Sequence, residues 1–124
     1  MNLIEEYIQN IKNMKLSLDD FGDKRKVNDS NKLAERNRKI VKLIEKDSNH
    51  IKLEYVSLLD SNDEDVRGWV AHHILELMNC DKSIRLKALY IIKDEANNHS
   101  DNVHRLGSSM WLKQYYQKHP DDLN

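Results

Sequence analysis

The chain has 124 residues, of which 33% are charged and 6% aromatic, and its formal charge at neutral pH is −1. That length suits a single domain with a modest aliphatic core, and the near-zero charge supplies no global attraction to nucleic acid or anionic membrane. Three glycines and one proline, Pro120 in the tail, leave almost nothing to interrupt helices or mark hairpins, so the composition excludes a strand-rich fold and predicts an all-α one.

Apolar runs stay far below the roughly 18–20 residues needed to span a bilayer. The opening segment, Met1 to Asn10, carries Glu5 and Glu6 where a signal peptide needs cations and an apolar stretch. The lone cysteine, Cys80, has no partner within the chain for a disulfide. Together these features point to a cytoplasmic protein without membrane contact; a monomer or weak dimer is expected.

Helical spacing of Leu3, Ile4, Tyr7, Ile8, Ile11, Met14 and Leu18 predicts a first amphipathic helix over residues 2–19, with the chain reversing at Phe21-Gly22. A second helix over 24–47 follows through Val27, Ala34, Ile40, Val41 and Ile44, frayed near Asn28. A short helix over 51–60 carries Leu53, Val56 and Leu59 and is capped by Ser48-Asn49. Ser61-Asn62 caps a helix over 63–78, Asp81 caps one reaching about Ala96, and Ser100 caps a last one to about Lys118. Residues 119–124 are expected to form a disordered tail. Six helices with short connections must pack antiparallel to their neighbours.

The helix over 63–78 is apolar on several sides, through Val66, Val70, His73, Ile74 and Leu77 with Trp69, Leu75 and Met78 beside them, which predicts a central position. One phrase occurs twice, as Asp63-Glu64-Asp65-Val66-Arg67 and as Asp81-Lys82-Ser83-Ile84-Arg85. The aspartate can accept the orphan amide hydrogens of a helix start, and the β-branched residue enters the core. The arginine flanks the core stripe, covering apolar surface with its stem while its guanidinium reaches a nearby aspartate or carbonyl.

Residues 63–75 and 81–89 resemble the second-helix signature of HEAT-like repeats. Trp69 and His73 stand where that signature has small residues, and the two copies lie only 18 positions apart, so the chain is no regular solenoid. Over most of its length it also resembles a family of small bacterial HEAT-like domains, through Asn31-Lys32-Leu33, the segment from Leu58 to Arg67 and that from Arg105 to Trp111. The resemblance implies a HEAT-like, α-α superhelical packing of the six helices in one domain over residues 1–124. It also implies an immunity role, in which the chain binds and neutralises a partner toxin.

Catalytic signatures are missing from the sequence: there is no glycine-rich phosphate loop, nucleophile elbow or His-Glu-x-x-His. His72 and Glu76 lie one helical turn apart, but His72 and His73 point about 100° apart on a helix and do not share an ion. His73 belongs to the core stripe and His72 to the surface, while His99, His104 and His119 fall at turns and outer positions. Cys80 has no histidine placed beside it. The expected protein is therefore a binding module and not an enzyme, with no metal and no cofactor.

Two surfaces are candidates for binding. Asp60, Asp63, Glu64 and Asp65 form an acidic ledge with Trp69 one turn beyond and His72 next to it, suited to a basic protein partner. Helix-start capping is the simpler account of these acids. Residues 24–46 carry nine lysines and arginines against Asp29, Glu35 and Glu45, a net +6. Lys24, Arg25, Lys32, Arg36, Lys39, Lys42 and Lys46 share one face, an alternative contact for nucleic acid, although a solvated outer face accounts for it more simply. A purely structural oligomerisation module is a third alternative.

Overall fold

A computed structural model describes residues 2–18, 24–47 and 49–122, and every regular element among them is helical. The helices are α1 (Leu3–Leu18), α2 (Lys24–Lys46), α3 (Asn49–Val56), α4 (Glu64–Leu77), α5 (Lys82–Asn98) and α6 (Asn102–Lys118), with 3₁₀ turns at Ser57–Asp60 and Pro120–Asp122. All six helices expected from the sequence are present. The reversal assigned to Phe21-Gly22 and the capping role of Ser48 lie outside the described residues. The chain divides into two compact units, Met1–Leu58 and Leu59–Asn124.

In the first unit α1 packs on α2 through the stripe expected of it: Ile4, Tyr7, Ile11 and Met14 are buried, as are Ile40, Val41 and Ile44. The early part of α1 meets the later part of α2, where Glu6 takes a two-pronged hydrogen bond from Arg36 at 2.7 and 3.0 Å. Asn37 sits in phase with Val41 and Ile44 and is fully buried, so its polar amide must find partners within the core. It accepts from Asn10 Nδ2 at 2.9 Å and donates to the Tyr7 carbonyl at 3.2 Å. α2 is continuous through Asn28, the point at which the sequence predicts a soft first turn.

α3 departs from the expected stripe. Leu53 is 66% exposed, and the residue that enters the core is Tyr55, at 0%. Its ring meets Tyr7 edge-on with centroids 5.2 Å apart, and its hydroxyl donates to the Tyr7 hydroxyl at 3.0 Å. Burial and this neighbour push the Tyr7 phenol well above its ordinary pKa. Leu59 is buried as expected, in the 3₁₀ turn that replaces the last turn of the predicted helix.

In the second unit α5 packs on both α4 and α6, so within it the middle position belongs to α5 and not to α4. The repeated phrase does what its chemistry predicts at its aspartates and arginines, and Val66 enters the core, whereas Ile84 is only half-buried. Asp63, and not Ser61-Asn62, caps α4, accepting from the Asp65 and Val66 amides at 2.9 and 3.3 Å, and Asp81 accepts from the Ile84 amide at 3.0 Å. Arg67 Nη1 donates to the Ser61 carbonyl at 2.7 Å, and Arg85 Nη1 to that of Cys80 at 2.8 Å. A third copy governs α6, where Asp101, and not Ser100, is the cap, accepting from the Val103 amide at 2.9 Å, while Arg105 Nη1 donates to the His99 carbonyl. Each arginine thus fastens the first turn of its helix to the backbone just ahead of it.

The expected disordered tail is corrected over Pro120–Asp122, which forms a 3₁₀ turn with Asp122 only 4% exposed. Asp122 accepts from Arg85 Nε and Nη2, both at 3.1 Å, and from the Tyr115 hydroxyl at 2.7 Å. The arginine holds the Asp122 carboxyl below the usual carboxylate range. Burial, followed by the bond to Asp122, pushes the Tyr115 phenol up to about 12. Asp122→Ala would leave the phenol without this acceptor and is expected to lower stability by about 1–2 kcal/mol, measured by urea unfolding; an unchanged midpoint would mean that the turn is not held by this carboxylate.

Candidate protein-binding site

The second unit contains a cavity of about 390 Å³ between the start of α4 and the later half of α5. Asp60, Glu64 and Arg67 line one side, and Lys87, Tyr90, Asp94 and Glu95 the other. The helix register explains this gathering. Glu64 and Arg67 are one turn apart on α4, and Lys87, Tyr90, Asp94 recur at three- and four-residue steps along α5. Asp60 pairs with Lys87 at 2.6 Å, and Glu64 lies 3.8 Å from His99 Nε2.

Glu95 is the unusual member. It continues the buried stripe of Ala88 and Ile92 and is only 7% exposed, so a carboxylate occupies a core position. Its Oε2 gathers three neighbours from the flanking helices: His104 Nε2 at 3.3 Å, Ser108 Oγ at 3.4 Å and His72 Nε2 at 3.8 Å. Burial raises its pKa, but the two imidazoles outweigh burial and the carboxyl is held below its ordinary value. Oε1 has no hydrogen-bond partner among the described residues and is packed against Gly68, where a Cβ would come within 2.2 Å of it. Gly68 is therefore the space into which α5 inserts its carboxylate.

The lowered carboxyls define a pH window. Glu6, Asp122 and Glu95 all have folded pKa values below their unfolded ones, so the stability they supply is complete above about pH 4.5 and is lost as pH falls through the lowered values. Glu95→Gln is expected to make the acid limb of thermal stability between pH 5 and 3 shallower. An acid limb identical to that of the parent would show that folding does not lower the Glu95 pKa.

The structure redistributes the acidic ledge expected from sequence. Asp60 and Glu64 face the cavity, whereas Asp63 is committed to capping α4, and Asp65 and Trp69 lie outside the cavity lining. The Trp69 ring instead packs on His73, with centroids 5.6 Å apart, and His73 is buried as the core stripe predicts. His72 is not a free surface residue: it is half-buried, edge-on to Trp111 at 4.7 Å and turned towards Glu95. Glu76, considered with it as an ion ligand, accepts from the Trp111 indole at 2.9 Å. His104 likewise is no isolated outer histidine, since it stacks on His99 at 3.8 Å while reaching Glu95. No group of three or more His, Cys, Asp or Glu among the described residues is placed to hold a metal ion.

On α2 the basic face remains largely open. Lys32, Lys39, Lys42 and Lys46 are exposed, while Arg36 is engaged by Glu6. The side chains of Lys24 and Arg25 lie outside the described residues. No helix among the described residues is long and apolar enough to cross a membrane.

Glu95, Gly68, Arg67, Lys87, Tyr90 and Asp94 are the site residues that the sequence reading missed. Two signals for them are present in the sequence: a glutamate in phase with Ala88 and Ile92, and a glycine in the interior of a helix between Val66 and Val70. No protein-family model, curated protein or solved structure matches this chain.

Proposed function

We propose that the chain is a non-catalytic protein-binding module whose partner is a basic protein, a toxin in the immunity role implied by the HEAT-like resemblance. The observation that carries this reading is the charge of the cavity beside α4. Once Asp60 is set against Lys87, the carboxylates of Glu64, Asp94 and Glu95 face one remaining lining cation, Arg67, whose Nη1 is already given to a backbone carbonyl. Such a patch steers a positively charged partner and suppresses acidic ones.

Co-expression with a candidate toxin encoded beside the gene, followed by co-purification and growth rescue, tests the reading. Reversing Asp60 and Glu64 to lysine is expected to weaken that complex at least about tenfold, mainly through slower, less salt-dependent association. Neutralisation that survives both reversals would remove this face from the proposal.

A second reading rests on the open lysines of α2, which suit a phosphate backbone. Affinity for nucleic acid would then fall steeply with salt. Binding that persists after Lys32, Lys39 and Lys42 are all replaced by glutamate would exclude it.

A further inference from the structure

We propose that the cavity between α4 and α5 seats the guanidinium of an arginine side chain presented by the partner, with Glu95 at its base and Asp94 and Glu64 beside it. This assignment rests on the protein-binding reading and names the chemistry that the site takes. The cavity, about 390 Å³, lies within the size range of small-ligand sites, roughly 300–1,000 Å³. It is therefore large enough for one long side chain together with ordered water.

Glu95 supplies the observation that distinguishes the cavity from a solvated acidic surface. It is a core carboxylate whose three neighbours all crowd Oε2, while Oε1 is without a hydrogen bond among the described residues. A carboxylate oxygen can accept more than one hydrogen bond, so Oε1 retains capacity for a donor. The absence of a side chain at Gly68 keeps Oε1 in place, as any Cβ there would displace it. Asp94 adds a second acceptor one residue away, spent only on the Asn98 amide at 2.8 Å, and Glu64 is 61% exposed. Two or three carboxylates around one opening match the several N–H donors of a guanidinium.

The choice of arginine over lysine comes from Tyr90. Its ring lines the same cavity and is 71% exposed, an aromatic face on which a planar guanidinium can stack. Arg67, the lining cation, has its Nη1 turned to the Ser61 carbonyl. A metal ion is a poorer occupant, because no three ligating side chains among the described residues converge.

Nα-acetyl-arginine amide is the probe, titrated into the isotope-labelled chain and followed by amide chemical shifts. Saturable shifts confined to residues 60–67 and 87–95 are expected, with the uncharged citrulline analogue at least about tenfold weaker. The lysine analogue should also bind more weakly, and Tyr90→Ala should remove the difference between the two. Glu95→Gln and Asp94→Asn should each weaken the arginine probe several-fold. If Glu95→Gln fails to fold, Asp94→Asn and Glu64→Gln, both at exposed positions, carry the same comparison. Equal binding of arginine and citrulline, shifts located elsewhere, or indifference to all the carboxyl variants would overturn the proposal. Because the probe contains no partner protein, a failure here alongside a toxin complex sensitive to Asp60 and Glu64 reversal would leave the protein-binding reading standing. Probe binding without any toxin complex would reverse that outcome.

Discussion

Replacing Tyr55 by alanine is expected to destabilise the first unit by about 3–5 kcal/mol, the range for deleting a large, wholly buried aromatic side chain. Three losses combine. The ring is fully enclosed, so its removal leaves a void that the aliphatic neighbours fill only in part. The edge-on contact with Tyr7 disappears. The Tyr7 hydroxyl, itself buried, also loses the donor that approaches it at 3.0 Å. Tyr55→Phe separates these contributions, since it keeps the ring and removes only the hydroxyl, and should cost about 1 kcal/mol. Urea unfolding of both variants measures the difference. A Tyr55→Ala cost below about 1 kcal/mol would mean that α3 does not close this core.

Gly68→Ala and Gly107→Ala should shift stability in opposite directions, although both glycines lie inside helices. At an open helical position the substitution gains about 0.5–1 kcal/mol, because alanine loses less backbone freedom on folding. Gly107 is such a position, with nothing within 4 Å of an added Cβ. At Gly68 the Cβ would collide with Glu95 Oε1 at 2.2 Å. The carboxylate terminates a flexible side chain, but it is held between His72, His104 and Ser108, so moving it disturbs contacts to two other helices. A net loss of about 1–3 kcal/mol is expected, as for other overpacked interiors. Gly68→Ala combined with Glu95→Ala should recover much of that loss, a double-mutant coupling that reports the contact directly. Equal effects of the two alanines would mean that Glu95 swings aside freely, and the seat for a guanidinium would then not be preformed.

The helices were legible because their signals are local. Apolar residues at three- and four-residue spacing in α1 match its buried side, and the aspartates at the starts of α4 and α5 cap where a helix start needs an acceptor. The paired arginines reach carbonyls only five or six positions away, which is also why the phrase could be read before any packing was known. Its third copy, Asp101 with Arg105, was missed because His104 takes the place of the β-branched residue that defined the other two. α3 was misread for a related reason. Its leucine and valine suggested an aliphatic stripe, whereas the deep position went to a tyrosine that needs a hydroxyl partner 48 residues away.

The candidate site was less legible, because its residues are distant in sequence and each has an ordinary local account. Glu64 is an acid at a helix start, Lys87 and Asp94 are charges on a helix, and His72 and His104 read as outer positions. Their meaning depends on which faces of α4, α5 and α6 meet. Sequence periodicity constrains that choice only by separating apolar from polar positions. Glu95 breaks even this separation, since its burial requires Gly68, His72, His104 and Ser108 to be supplied from both sides.

The sequence by itself determined an all-helical chain, the approximate extent of six helices, and the cap of α5, because hydrogen bonding and amphipathic spacing act within a few residues. Only the tertiary structure decided that Tyr55 closes a core, that Asp122 draws Pro120–Asp122 into an ordered turn, and that the acids beside α4 border a cavity with a buried carboxylate at Glu95. Those outcomes depend on desolvation and on partners from separate helices, and neither is set until the helices have packed.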